Sequence, residues 1–428
     1  MEFFYVIFTF IITMCLGIPI AFTLGLTGLV AIFVSKNIPF ILAPRMMWLS
    51  ISSFPLLAIS LFIFAGELMN ATGITKRLLK LADALVGHIV GGLAHANIVA
   101  SMLFAGITGS AATDVACLGP IEISMMLDQG FDRDFSTAVT VASALIGPII
   151  PPSLIAVLIG VTANISIGAL FVAGYLPGVI IGLSLMILAY FQAKKRNYPH
   201  REKRAPIKEI LKAIWEAMIP LMMPVIIMGG ILGGIFTATE AAAVACVYGL
   251  IVGLFVLKTL TFKKLPELLL NAALMAAVVL IMISMSGILG WTIAVFHLAE
   301  KIANFFLSIS TNTVVILLLI NVLFIIVGMF IAPAVSIIIL APILFPLAKT
   351  IGLHPIHFGM IMSISLIVGL ATPPVGGSLF IGAAVGKIPI EKLTKALFPY
   401  YMVLLIALLL ITYIPAITMT LPKLFGFV

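Results

Sequence analysis

Long apolar runs separated by short polar stretches make up most of the chain. Many of them last about 18 residues or more, which is enough for a helix to cross the hydrocarbon core of a bilayer. They are rich in Leu, Ile, Ala, Met and Gly and do not alternate with polar residues, as the strands of a membrane barrel would. The pattern predicts an all-α integral membrane protein. The predicted apolar segments are about 3–34, 46–70, 86–107, 115–127, 135–164, 168–192, 213–234, 239–257, 267–292, 311–330, 334–349, 357–386 and 396–417.

Two of these segments are interrupted in the same way. The sequence GPIIPPS at Gly147–Ser153 lies inside segment 135–164, and GLATPPV at Gly369–Val375 lies inside segment 357–386. Proline lacks a backbone N–H and clashes with the preceding helical turn. Both segments are therefore predicted to be broken helices.

The breaks belong to a longer internal repeat. When the chain is shifted against itself by 222 residues, glycines and prolines coincide without any gap. Apolar matches are common in such a sequence, but helix-breaking residues at a fixed offset indicate a shared backbone design. The matching pairs are Gly106/Gly328, Pro120/Pro342, Gly130/Gly352, Gly147/Gly369, Pro151/Pro373, Pro152/Pro374, Gly160/Gly382 and Pro177/Pro399.

The repeat predicts two units of similar design. The first is 1–193, a basic loop covers 194–212, and the second is 213–428. Each unit is expected to hold scaffold helices, an amphipathic arm helix on the membrane surface, a re-entrant hairpin and a broken helix. An odd number of crossings in the second unit would invert its orientation, and inverted repeats with discontinuous helices are typical of secondary transporters. The expected arm, hairpin and broken helix are 73–84, 86–127 and 135–164 in the first unit, and about 295–306, 311–349 and 357–386 in the second.

Composition and charge agree with this interpretation. A hydrophobic share of 63%, a charged share of 9% and a mean hydropathy of +1.32 exclude a soluble globular protein. Of the 23 basic residues, eight fall between Lys194 and Lys212, which places that loop in the cytoplasm and the termini on the periplasmic side. The net charge of +8 thus indicates topology rather than a nucleic acid or lipid headgroup as a ligand, and membrane lipid is expected only as the surroundings of the helices. The first apolar run has no basic leader and no cleavage site, so we expect it to be retained.

The breaks and hairpin tips are the candidate binding sites. Freed carbonyl oxygens favour a cation, and the N-terminal ends of half-helices favour an anion. Oxygen ligands without thiols or imidazoles suit sodium, so Na⁺ is the expected coupling ion. The first sodium site is predicted at Gly106, Ser110, Thr113, Gly147 and Pro151, and the second at Gly328, Pro333, Gly369, Thr372 and Pro373. Ser110, Ser153 and Thr372 are the candidate substrate-binding hydroxyls.

Several ionisable residues are given other roles. Asp114 in the first tip could hold a cation or cap the following helix. Glu240 follows Thr237 as in a helix start, which favours a structural role. We expect the remaining candidates to lie at the membrane interface: Glu67, Glu122, Glu216, His357 and Lys387.

No enzymatic motif is present. The chain lacks HExxH, GxSxG and P-loop sequences, its six histidines are scattered, and its three cysteines have no paired spacing. A missing P-loop also argues against direct use of ATP. The sequence therefore indicates a transporter rather than an enzyme.

Three stretches resemble the signatures of the large membrane subunit of tripartite ATP-independent periplasmic (TRAP) transporters. They are FTATEAAA at 236–243, GLHPIHF at 352–358 and GLATPPVGGSLF at 369–380. The resemblance implies a sodium-coupled, elevator-type importer of the bacterial inner membrane that moves an organic acid such as sialic acid or a C4-dicarboxylate. It also implies a small four-helix membrane subunit and a periplasmic substrate-binding protein as partners. The second tip reads Ile331-Ala332-Pro333-Ala334, where many relatives carry an acidic residue, and no arginine stands at the breaks as a carboxylate clamp.

Two other functions remain open on the sequence. One is a self-sufficient ion-coupled dicarboxylate or citrate carrier of similar fold. The other is a channel or structural membrane subunit, which would show ion-independent flux.

Overall fold

The computed structural model describes residues 2–35, 38–201 and 203–428, and this part of the chain is mainly helical. Met1, Lys36 and Asn37 of the predicted first unit, and Glu202 of the predicted basic loop, lie outside the described residues. The α-helices are α1 Glu2–Cys15, α2 Ile20–Val34, α3 Leu42–Ile51, α4 Leu57–Ala71, α5 Thr75–Val86, α6 Gly92–Thr108, α7 Ala111–Asp128, α8 Arg133–Ala144, α9 Leu154–Thr162, α10 Ile167–Lys195, α11 Ile207–Leu232, α12 Ala238–Ile251, α13 Leu265–Val295, α14 Leu298–Ile309, α15 Thr313–Phe330, α16 Pro333–Thr350, α17 Pro355–Leu370, α18 Gly377–Gly386, α19 Ile390–Tyr413 and α20 Ala416–Leu424.

Eight helical stretches in the described part of the chain are long and apolar enough to cross a membrane. A short 3-10 turn, Phe54–Leu56, extends α4, and a π-helical turn, Val252–Val256, extends α12. The membrane-spanning candidates are Phe54–Ala71, Ile167–Lys195, Ile207–Leu232, Ala238–Val256, Leu265–Val295, Thr313–Phe330, Pro333–Thr350 and Ile390–Tyr413. The prediction of an all-α integral membrane protein is confirmed.

The hairpins and broken helices occur twice with closely matching bounds. α7 and α16 correspond residue for residue after the 222-residue shift, and α6 and α15 differ by one residue at the N-terminal end. The half-helices α8 and α9 likewise match α17 and α18 to within a few residues. The fold is therefore an inverted-topology repeat of re-entrant hairpins and broken helices.

The arm helices begin slightly later than the sequence suggested. α5 begins at Thr75 instead of residue 73, and α14 begins at Leu298 instead of about 295. Gly73, with φ of +70°, precedes α5, and His297, with φ of +51°, precedes α14. A left-handed residue cannot continue a right-handed helix, so these two positions set the starts.

Two further helix boundaries follow local sequence rules. The long run 3–34 is divided into α1 and α2 by the turn at Gly17–Pro19. Thr237 caps α12 and forms a capping box with Glu240, whose carboxylate accepts the Thr237 N–H at 2.8 Å. Glu240 thus has the structural role that its spacing from Thr237 indicated.

The helices pack as two groups. The scaffold group consists of α1–α4 and α11–α13, in which α2, α3 and α4 all pack against α13, and α4 also packs against α12. The second group contains the hairpins and the half-helices, held together by the long helices α10 and α19. The arm helix α5 lies between the groups, against α6 and α11.

The basic loop is shorter than the predicted 194–212. Lys194 and Lys195 form the last turn of α10, and Lys208 and Lys212 lie on α11, leaving 196–206 as the connection. Lysines at the C-terminal end of α10 interact favourably with the helix dipole, so the helix continues into the basic sequence.

Both ends of this connection are anchored by polar contacts. The Tyr198 hydroxyl donates to Asp132 Oδ2 at 2.6 Å, and Arg196 pairs with the same oxygen at 2.9 Å. The Tyr198 ring packs against both Phe131 and Phe135, whose rings also contact each other. These contacts attach the start of the loop to the turn between α7 and α8. At the other end, Arg201 pairs with Asp83 of α5 at 2.6 Å and with Glu209 of α11 at 2.9 Å.

We expect the Tyr198 anchor to stabilise the protein in a pH-dependent way. The Tyr198 hydroxyl first, and then Arg196, hold the pKa of Asp132 below its usual range. This stabilisation is present above the ordinary Asp pKa of about 4 and is lost as the pH falls through the depressed pKa. In thermal unfolding in detergent, the difference in Tm between the wild type and Asp132→Asn should be largest near neutral pH and shrink below about pH 4.

Substitutions at Tyr198 should separate the contribution of its hydroxyl to the free energy of unfolding from that of its ring. Tyr198→Phe keeps the ring packing and should cost about 1 kcal/mol, whereas Tyr198→Ala also leaves a cavity and should cost about 3 kcal/mol or more. Tyr190→Phe on α10 removes a hydroxyl that makes no hydrogen bond to another described residue and is the matched control. Equal losses from Tyr198→Phe and Tyr190→Phe would show that the Asp132 bond contributes nothing.

Candidate functional site

The first hairpin tip is a two-residue turn between α6 and α7. Gly109 adopts φ of +60°, a left-handed conformation that favours glycine, and ends α6. Ser110 is the N-cap of α7, and its Oγ accepts hydrogen bonds from the Thr113 N–H at 3.4 Å and from the Thr113 hydroxyl at 3.1 Å. The two predicted hydroxyls of the tip therefore lie side by side at the N-terminal end of a helix.

The tip packs directly against the first break. A Cβ on Gly109 would lie 3.0 Å from the Pro152 carbonyl oxygen, and one on Gly106 would lie 3.4 Å from the Pro151 carbonyl oxygen. A Cβ on Gly147 would collide with the carboxylate of Asp114, which is fully buried. The structure thus brings together the five residues of the first predicted sodium site, with Asp114 beside them. The side chain of Thr108, within the predicted tip, lies outside the described residues.

A cavity of about 90 Å³ opens beside this tip. A buried water needs about 10–15 Å³ of such space, so the cavity has room for several waters or a small polar group. Its lining comes from the hairpin, from the break and from two scaffold helices. The lining residues are Phe62, Ile63, Gly66, Glu67 and Asn70 of α4, Ile107, Ser110 and Thr113 of the hairpin, Pro152 and Leu154 of the break, and Met275 and Val279 of α13.

Ser153 lies behind this cavity. Its side chain is 2% exposed, donates to the Pro148 carbonyl at 2.5 Å and accepts the Ala156 N–H at 3.2 Å as the N-cap of α9. The Ser153 hydroxyl thus closes the broken backbone on itself, and its neighbours Pro152 and Leu154 face the cavity.

The second tip and break make the same kind of contact with different side chains. Gly328 lies against Gly369, since a Cβ on either would come within 3.2 Å of the other's backbone. The Gly376 N–H donates to the Met329 carbonyl at 2.9 Å, which joins the end of the break to the tip. Pro333 is the buried first residue of α16, and the Thr372 hydroxyl donates to the Val368 carbonyl at 2.7 Å. Pro373 is partly buried beside Thr372.

A family model described as "Tripartite ATP-independent periplasmic transporter, DctM component" matches residues 7–417. The chain belongs to this TRAP transporter family. It is a transport permease, not an enzyme.

Curated relatives agree with this membership. The large permease protein SiaM of the sialic acid TRAP transporter of Vibrio cholerae is 41% identical over 409 residues, covering 96% of both chains. The C4-dicarboxylate TRAP large permease protein DctM of Rhodobacter capsulatus is 34% identical and covers 98% of this chain and 99% of its own. The isethionate TRAP permease protein DctMQ of Oleidesulfovibrio alaskensis is 42% identical, and the match covers 96% of this chain and 65% of that relative.

One solved structure shares the fold. The YdaH transporter of Alcanivorax borkumensis superimposes with a TM-score of 0.60 over 89% of this chain and 87% of its own, at 15% sequence identity. At that identity the likeness supports the architecture of this TRAP permease and carries no information on its substrate.

Two buried polar networks near the breaks were not predicted from the sequence. In the first half, Ser143 on α8 donates to Asn97 Oδ1 of α6 at 2.8 Å, and Asn97 donates to Thr140 at 2.7 Å. In the second half, Ser365 on α17 donates to Asn321 Oδ1 of α15 at 2.9 Å. Ser143 and Ser365 are related by the 222-residue repeat, each four residues before the glycine of its break. The coincidence of these two serines in the repeat was therefore the sequence signal that could have indicated the two networks.

Three of the residues predicted at the interface are covered by other helices or line the cavity. Glu122 is 2% exposed inside α7, and its carboxylate makes no hydrogen bond with any described residue. His357 is 1% exposed on α17 and contacts the Thr418 hydroxyl at 2.7 Å. Glu67 faces the cavity. Proximity to a segment end did not indicate this burial, because it does not show which face of a helix another helix covers.

We expect the glycines at the breaks to be intolerant of alanine. A Cβ on Gly369 would lie 2.5 Å from the Ile325 carbonyl oxygen, and backbone cannot move aside, so Gly369→Ala should lower the Tm of the purified protein strongly. A Cβ on Gly147 would instead contact the side-chain carboxylate of Asp114. Gly147→Ala should therefore displace Asp114 and impair transport, with a smaller loss of Tm than Gly369→Ala.

Two other helical glycines provide the control. Gly229 on α11 and Gly290 on α13 have no atom within 4 Å of an added Cβ. Alanine at either position should leave Tm unchanged or raise it, since alanine is the better helix former by about 1 kcal/mol. If Gly369→Ala behaved like Gly290→Ala, close backbone contact between the second tip and break would be contradicted.

Proposed function

We propose that this TRAP family chain is the large membrane subunit of a sodium-coupled secondary importer that moves an organic acid across the bacterial inner membrane. The observation that carries the proposal is the cavity enclosed by the first tip, the first break and the scaffold helices α4 and α13. The family membership and the inverted repeat of broken helices are consistent with this role.

The cavity suits an anion on one side. Ser110 is the N-cap of α7, and Leu154 is the first residue of α9, so two helix N-termini reach the same space. The free N–H groups and the dipole at a helix N-terminus favour a carboxylate without any arginine. This arrangement supports an organic acid as substrate, with Ser110 as the candidate hydroxyl contact in the cavity. Ser153 and Thr372, the other two predicted contacts, are not among the lining residues.

Sodium is proposed at the two contacts between tip and break. The first site is assigned to Gly106, Ser110, Thr113, Gly147 and Pro151, where the two hydroxyls are paired and Gly106 lies near the Pro151 carbonyl. The second is assigned to Gly328, Pro333, Gly369, Thr372 and Pro373, where Gly328 lies against Gly369 and the Thr372 hydroxyl donates to the Val368 carbonyl. Hydroxyl and carbonyl oxygens suit Na⁺, and no three His, Cys, Asp or Glu side chains cluster as metal ligands among the described residues.

Transport is proposed to follow an elevator mechanism. The hairpins, the half-helices, α10 and α19 would move as one body against the scaffold, while α5 and α14 connect the two as arms. The narrow cavity lies at the boundary between these groups, which is where relative movement would open it to either side.

Substrate and partners are proposed from the relatives. SiaM and DctM are named for sialic acid and C4-dicarboxylates, and either class of acid is a candidate here. A small four-helix membrane subunit and a periplasmic substrate-binding protein would complete the transporter. The connection 196–206 would face the cytoplasm, with both termini in the periplasm.

Uptake in proteoliposomes tests the proposal. The chain is reconstituted with and without the small subunit and the binding protein, and labelled N-acetylneuraminate, succinate and malate are supplied with or without a sodium gradient. Uptake that needs sodium and both partners supports the proposal. Uptake by this chain alone would favour a stand-alone carrier, and flux independent of sodium would favour a channel.

Removing single hydroxyls should weaken sodium coupling. Ser110→Ala, Thr113→Val and Thr372→Val each remove one oxygen ligand, and a loss of about 1.4 kcal/mol raises the half-saturating sodium concentration about tenfold. The measurement is the initial uptake rate across a sodium titration. Ser184→Ala on α10 removes a hydroxyl that only donates to the Ile180 carbonyl and should leave the curve unchanged. Unshifted curves for all three variants would contradict the assigned sites.

A further inference from the structure

The connection 196–206 joins the two helix groups, because α10 belongs to the group of hairpins and half-helices and α11 belongs to the scaffold. It is fixed to each group at points that lie three residues apart in the chain. Tyr198 is held on the first group, at the turn between α7 and α8. Arg201 is held on the scaffold side, and Pro199 and His200 alone stand between the two in the sequence.

Arg201 is held by three contacts. Its side chain pairs with Asp83 of α5 at 2.6 Å and with Glu209 of α11 at 2.9 Å, and its backbone N–H donates to the Gly87 carbonyl at 3.1 Å. We name this set of contacts the Arg201 latch. The latch joins the end of the arm helix α5 to the start of the scaffold helix α11.

The arm helix α5 is joined to α11 by further polar contacts. Lys80 pairs with Glu216 of α11 at 3.7 Å, and Arg77 donates to the Glu216 carbonyl at 3.4 Å. Both acidic partners of the latch are thus connected to the scaffold. The second arm has no equivalent acid, since Asp83 corresponds to Phe305 of α14 in the repeat. The latch therefore acts at the cytoplasmic ends of α10 and α11 without a copy at the other arm.

The length of the chain limits how far the two anchored points can separate. A fully extended chain spans at most about 3.6 Å per residue, so the Cα atoms of Tyr198 and Arg201 can lie at most about 11 Å apart. Without the latch, the free chain would run from Tyr198 to Ile207, the first residue of α11, and could span about 32 Å. A closed latch therefore restricts movement of α10 along α11, and an open latch permits it.

The two anchors differ in how firmly they hold. Tyr198 is 6% exposed, and its ring packs against two phenylalanines. The Arg201 and Glu209 side chains are 40% and 45% exposed, and Asp83 is 21% exposed. Ion pairs in contact with solvent contribute little and are weakened by salt, whereas burial of an aromatic ring is unaffected by salt screening. When α10 and α11 move apart, the Arg201 latch is the anchor that opens.

We propose that the Arg201 latch is a releasable strap that stabilises the described arrangement of the two helix groups, and that its opening lengthens the connection enough for α10 to move past α11. This inference rests on the proposed function, because it assumes that the group of hairpins moves against the scaffold. It assigns Arg201 a conformational role away from the substrate cavity.

The test measures the distance between the two groups in the complete transporter, reconstituted in lipid with the small subunit and the binding protein. Spin labels are attached to non-natural amino acids at Gln129, in the turn between α7 and α8, and at Thr261, in the turn between α12 and α13; both positions are exposed. We expect Arg201→Ala to lower the population at the described distance about fivefold relative to the other arrangement. Arg204→Ala removes the same charge from the same connection, where Arg204 makes no ion pair with a described residue, and should leave the distribution unchanged.

Two further conditions show whether the latch acts through the connection. Raising KCl from about 0.1 M to about 0.5 M at constant sodium should shift the wild type in the same direction as Arg201→Ala and change that variant little, because salt screens exposed ion pairs. Inserting four glycines between Pro199 and His200 adds about 14 Å of reach, so a closed latch no longer restrains α10. In that background Arg201→Ala should have no further effect on the distances.

The outcomes separate this inference from the proposed function. The latch is refuted if Arg201→Ala gives the same distances as Arg204→Ala, or if it shifts them equally with and without the inserted glycines. Sodium-dependent uptake by the wild type alongside either result leaves the proposed function standing. A single wild-type distance with and without sodium and substrate would refute both the latch and the elevator movement. The expected shifts without any uptake of organic acid would support the latch and contradict the proposed function.

Discussion

The structure depends on one constraint: a helix broken inside an apolar layer must find partners for the backbone groups that the break sets free. The protein meets this requirement locally at both breaks. Ser153 donates to the Pro148 carbonyl, Tyr401 donates to the Ala371 carbonyl at 2.7 Å, and Gly376 donates to the Met329 carbonyl. Because water is scarce at this depth, each of these contacts must come from a neighbouring helix or from the turn itself. The hairpins are therefore required to support the breaks as well as to line a cavity.

The same requirement explains why tip and break approach so closely. Two helix backbones can touch directly only where no Cβ stands between them, and Gly328 and Gly369 meet in this way. The first half uses Gly106 and Gly109 against Pro151 and Pro152 for the same purpose. Close backbone contact brings carbonyls and hydroxyls together at the tips, and oxygen ligands of this kind are what a hard monovalent cation prefers.

The sequence predicted the parts of the fold that local backbone chemistry decides. Prolines and glycines at a fixed offset located the breaks, the hairpins and the repeat, because each such residue alters the backbone wherever it stands. Thr237 and Glu240 likewise indicated a helix start. Burial of Glu122 and His357 could not be predicted, because it depends on which helix face a distant segment covers. The cavity-facing positions of Glu67 and Asn70 could not be predicted for the same reason, since α4 meets the tip only through the packing of the two helix groups.

The repeat duplicates the backbone without duplicating the charge. Asp114 beside Gly147 corresponds to Ser336 in the second half, where the hydroxyl donates to the Ala332 carbonyl at 3.2 Å. Glu67 and Asn70 correspond to Leu289 and Thr292, so neither Asp114 nor Glu67 near the first tip has an acidic counterpart in the second half. For the proposed sodium sites, this difference gives the first a Coulombic attraction that the second lacks. Two sites of one backbone design are thus expected to bind the same ion unequally, and the side chains that make them unequal also surround the only tip that opens onto the cavity between α4 and α13.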